Sequence, residues 1–66
     1  MSTFLERLEQ EASELKTKNE ALLSFIQSDK FNTVSEKQQV LLTEQLDAMH
    51  WYHTILVSRL EDLKAS

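Results

Sequence analysis

Residues 41–60 read LLTEQLDAMHWYHTILVSRL, and two apolar registers run through them. Leu42, Leu46, Met49, His53, Leu56, Leu60 and, just beyond, Leu63 recur at steps of 4 and 3. That is the heptad seam of a helix packed along another helix, with one polar interruption at His53. Beside it, Leu41, Ala48, Tyr52 and Ile55 make a second stripe at the same spacing, continued by Gln45 and Arg59. One neighbouring helix covers one seam. A helix apolar over this wide an arc has further surface to bury.

The partner for the first seam lies upstream. Leu5, Leu8, Ala12, Leu15, Asn19, Leu22 and Ile26 are spaced by alternating steps of 3 and 4, again with one polar interruption. Between the two seams, residues 28–35 (SDKFNTVS) collect Ser, Asp, Asn and Thr, which draw backbone groups away from a helix. The chain has no Gly and no Pro, so no other break is signalled. Both helix starts fit a capping box: Thr3 with Glu6, and Ser35 with Gln38. Glu6, Glu9 and Glu36 sit near positive helix ends and Lys64 near a negative one. Asn32 is the candidate for a left-handed residue in the connection.

These signals predict one domain over residues 1–66, with a helix at 3–29, a connection at 30–34 and a helix at 35–64. Folding the chain at Phe31–Val34 sets Leu5 against Leu60, Leu8 against Leu56, and Ala12 against His53. Leu15 then meets Met49, Asn19 meets Leu46, Leu22 meets Leu42, and Ile26 meets Gln39. Each pair of residue numbers adds to 64 or 65, as antiparallel neighbours require. The expected fold class is therefore all-α, an antiparallel helical hairpin.

A chain of 66 residues buries only about 60% of its unfolded surface, which makes a lone core marginal. With no Cys, disulfides and thiolate zinc sites are excluded, and association is the remaining staple. The second stripe supplies a surface for it. Two copies are expected to form a four-helix bundle, a homodimer with Leu41, Ala48, Tyr52 and Ile55 at its interface.

Seven basic residues against eleven acidic ones give a net charge of −4. Nucleic acid affinity comes largely from neutralised phosphates, so this balance argues against a nucleic acid partner. No apolar run reaches the ~18–20 residues that span a bilayer. No basic segment leads into an apolar one at the start, so the expected location is the cytoplasm. The absence of glycine excludes a Gly-rich phosphate loop, and no nucleophile–base arrangement is visible. An enzyme is not expected, and neither is a cofactor.

Some residues stand out for binding. Asn19 and His53 interrupt the seams and are candidates for setting register. His50 and His53, with Asp47 and Glu44 near, have ligand chemistry and titrate near neutrality. The favoured reading is a packed His53 and a half-exposed His50, with no metal. Trp51 falls opposite the seam, where an exposed indole anchors partners. Phe31, in the connection, either anchors a partner or caps the end of the bundle. His50 completes this set of partner-binding candidates.

The pattern Phe4-Leu5-x-x-Leu8-x-x-Glu11, Leu22-x-x-Phe25-Ile26-x-Ser28-x-x-Phe31 and Gln38-Gln39-x-Leu41-Leu42-x-x-Gln45-Leu46-x-Ala48-Met49, with Tyr52, covers nearly the full length. It resembles small helical early-region proteins of lambda-like phages, from between the exonuclease and excisionase genes. The resemblance implies an accessory protein made early in infection in the host cytoplasm. It further implies a part in host physiology or the lysis–lysogeny decision, and no catalytic residues.

The expected function is non-enzymatic, by contact with a host or phage protein. Two alternatives belong to other classes. A nucleic-acid-associated regulator would gather Arg7, Lys16, Lys18, Lys30 and Lys37 on one surface. A protein sequestering a small molecule, such as a nucleotide signal, would use a polar pocket near Asn19, His53 and Arg59.

Overall fold

The computed structural model describes residues 3–65. Helix α1 runs Phe4–Ile26, a 3₁₀ turn follows at Asp29–Thr33, and helix α2 runs Glu36–Ala65. Among the described residues there is no strand, and the two helices fold back on each other as a hairpin.

Both helix starts use the hydroxyls picked out in the sequence. The Glu6 amide donates to Thr3 Oγ1 at 3.1 Å, and the Gln38 amide donates to Ser35 Oγ at 3.2 Å. Each bond satisfies one of the donors that a helix leaves open at its start.

The first helix stops at Ile26, three residues short of the expected 29. Gln27 caps it, its amide donating to the Leu23 carbonyl at 3.0 Å. Ser28 then draws the chain away: its amide and its hydroxyl both donate to the Phe25 carbonyl, at 3.0 and 2.6 Å.

The expectation of a left-handed Asn32 is corrected. No described residue has positive φ, because the reversal is spread over a right-handed 3₁₀ turn with extended residues, Ser28 and Val34, on either side. Gln39, from the first turn of α2, fastens this connection. Its side-chain amide donates to the Phe31 carbonyl at 3.1 Å and the Val34 carbonyl at 3.2 Å.

The core is small. Leu8, Ala12, Leu15 and Leu56 are buried, with Met49 and Leu60 packed against them. Leu56 is 0% exposed and shares one buried cluster with Leu8, the residue that number pairing sets against it, and with Ala12 and Leu15. The particle is a rod, 47 × 20 × 14 Å. Apolar residues are spread around α2, as its two registers imply, and many stay exposed.

Candidate functional site

Among the described residues, concave regions lie at both ends and at the middle of the hairpin. Near the open end, where α1 starts and α2 nears its finish, a cleft of about 240 Å³ is lined by Phe4, Arg7, Leu8, Glu11 and Arg59. Arg7 and Glu11 are one helical turn apart, and Phe4 precedes Arg7 by three, so α1 presents all three on one flank. Arg59 comes across from α2. Its guanidinium lies 5.9 Å from the centre of the Phe4 ring, within cation–π reach. Phe4 is 62% exposed, leaving much of its surface to solvent.

Glu11 has a second role. The Tyr52 hydroxyl donates to its carboxylate across the hairpin. That hydrogen bond is the main cause holding the Tyr52 phenol above its ordinary value of 10.0, with burial and the negative charge of Glu11 adding to it and Arg59 opposing.

Midway along the rod, a recess of about 230 Å³ is lined by Asn19, Glu20 and Leu23 of α1 and by Leu46, Asp47 and His50 of α2. Each helix contributes residues spaced i, i+1 and i+4, which is one flank of a helix. The half-buried Asn19 amide donates to the Met49 carbonyl at 3.4 Å, while Asn19 Oδ1 is buried with no hydrogen-bond partner. The two carboxylates, Glu20 and Asp47, favour donor groups here over anions.

The third hollow, about 530 Å³, lies at the turn and is lined by Phe31, Glu36, Gln39, Val40, Thr43 and Glu44. Phe31 is half-buried there and meets Phe25 edge to face, with ring centres 6.3 Å apart at 83°. It closes this end of the hairpin.

The residues singled out in the sequence are therefore dispersed. Trp51 stands 65% exposed, away from the seam. His50 is exposed and lines the central recess, whereas His53 is half-buried in the seam. Asn19 crosses to α2 through its bond to the Met49 carbonyl. Leu41, Ala48, Tyr52 and Ile55 are all exposed in the single chain. Among the described residues, no group of three or more His, Cys, Asp or Glu is placed to hold a metal ion. Among the described residues, no helix is long and apolar enough to cross a membrane.

The sequence names Arg59 and Arg7 for different alternatives, and does not bring them together with Phe4 in one cleft. The signal was present: 4 and 59, like 11 and 52, add to 63, one or two short of the seam pairs, which places them side by side at its edge. Comparison with curated proteins and with solved structures gives no match. A family model described as Sequestin matches residues 2–62, and the chain belongs to that family.

Proposed function

We propose that this protein sequesters a small phosphate-bearing molecule, a nucleotide signal, binding it stoichiometrically and without turnover. The observation that carries the reading is the cleft at the open end, where Arg7 and Arg59 line one hollow with an exposed aromatic ring. A planar guanidinium matches phosphate oxygens in pairs, and a ring face accepts a base by stacking. The family's name describes capture, which agrees with a binding role. The likeness to early-region phage proteins adds the setting: an accessory protein that withdraws a signal from the host cytoplasm.

Calorimetric titration with nucleoside phosphates, the matching nucleosides and inorganic phosphate tests it. The expected result is saturable binding that requires the phosphate, ligand recovered chemically unchanged, and at least tenfold weaker binding by Arg59→Gln. Equal affinity in Arg59→Gln and in Arg7→Gln would remove the cleft from the argument.

A second reading, contact with a host or phage protein, is favoured by Trp51 standing 65% exposed. Indole side chains on open surface are frequent interface anchors. Under this reading Trp51→Ala abolishes capture of a specific partner and leaves nucleotide titrations unaltered.

A further inference from the structure

The hairpin has the surface of half a particle. A folded monomer of 7.7 kDa exposes about 4,300 Å². This chain exposes 5236 Å², a surplus of about 900 Å². Each partner in a stable complex buries about 800 Å², so the surplus is the size of one interface. The radius of gyration agrees: it is 15.0 Å, where a compact chain of this length has about 11 Å and one of twice the length about 14 Å.

We infer that the stripe Leu41, Ala48, Tyr52 and Ile55 on α2 docks against the same stripe of a second copy of this chain, making a two-fold four-helix bundle. From Leu41 to Ile55 the stripe runs about 21 Å along one helix face, long enough to seat a facing helix. Its large members, Leu41, Tyr52 and Ile55, are each more than two-fifths exposed in the single chain. Ala48 lies between them and lets two backbones approach. The Tyr52 ring is already positioned, because Glu11 holds its hydroxyl. Glu44 and Arg59, of opposite sign, flank the stripe, so a copy meets itself without a surface of uniform charge.

The occupant is a second copy because the cover is needed for folding itself. Four buried side chains make a core too small to stand alone. The cover must be present whenever the chain is made, and another copy always is. The inference does not rest on ligand capture, since molecular mass reports one and ligand titration the other.

Sedimentation equilibrium of the full chain at micromolar concentration is expected to give twice the 7.7 kDa chain mass. Ile55→Glu and Ala48→Arg are expected to lower the mass towards one chain. Val57→Glu, on the opposite flank of α2, is expected to keep the double mass. A second measurement needs no variant: the thermal midpoint of the unaltered protein should rise with protein concentration, as coupled folding and association require. A single-chain mass with a concentration-independent midpoint would overturn the inference. So would a double mass that survives both stripe variants, or one lost as readily in Val57→Glu.

Discussion

The Tyr52 hydroxyl donates to the Glu11 carboxylate, joining residues 41 apart in sequence across the two helices. The bond favours the protonated phenol, so the folded state holds Tyr52 above its ordinary 10.0. A phenol raised in the folded state contributes stability that is complete below 10.0 and lost as pH climbs through the raised value. Tyr52 is the one tyrosine in the chain, so phenolate absorbance reports it alone. The titration is expected to lie above that of free tyrosine and to move back towards it in Glu11→Ala. Coincident curves for the two proteins would mean that the bond is not formed in solution.

Leu56 is the one side chain described as fully buried, at 0% exposure, and it packs with Leu8, Ala12 and Leu15. Truncating such a leucine costs about 2–5 kcal/mol through lost transfer energy and the cavity left behind. Small domains hold little stability in reserve, so Leu56→Ala is expected to be largely unfolded by circular dichroism at room temperature. Val40→Ala, at an exposed position, should change stability by no more than about 0.5 kcal/mol. Similar denaturation curves for the two variants would contradict this placement of the core.

The heptad steps identified this core because burial on a helix repeats with the helical period. Leu8 and Leu56 follow from spacing alone. The Asn19 bond is one turn away from its expected partner Leu46, reaching Met49 instead. Helical side chains lean towards their own N-terminus, so Asn19 reaches back towards the level of Leu15, where Met49 lies. The connection was less legible. Its form depends on the Ser28 hydroxyl and on Gln39, a side chain supplied by the following helix. Local propensity does not contain that second interaction. The Phe4, Arg7 and Arg59 cleft emerges only when the two helices are set side by side, because neither helix alone brings an aromatic ring and two guanidiniums together.

Asn19 Oδ1 is buried without a partner, and its amide bond to Met49 is long at 3.4 Å. An unmet buried acceptor costs about 1–3 kcal/mol, more than a stretched bond returns. Asn19→Leu, of similar shape, is therefore expected to raise the thermal midpoint by about 4–8 °C for each kcal/mol regained. It should also loosen register, since a seam without a polar interruption accepts slipped pairings. Broader amide resonances at a higher midpoint are the expected signature. A lowered midpoint would show that the amide stabilises the hairpin.

Gln39 is the counterpart of Asn19 at the turn, but with its donor used twice, on the Phe31 and Val34 carbonyls. These bonds satisfy the Val34 carbonyl and give the Phe31 carbonyl, which already accepts from the Val34 amide at 3.4 Å, a second donor. Gln39→Leu keeps the side chain's bulk and removes both bonds. The expected loss is about 1 kcal/mol, the net worth of an ordinary hydrogen bond, because solvent reaches part of the turn and replaces some of what is lost. The effect should be local: hydrogen exchange should accelerate at the Phe31 and Val34 amides, which donate to Ser28 and Phe31 at 3.2 and 3.4 Å, while the amides around Leu56 keep their protection. Uniform acceleration along both helices would mean that the turn and the core open together, and that Gln39 holds the whole hairpin closed.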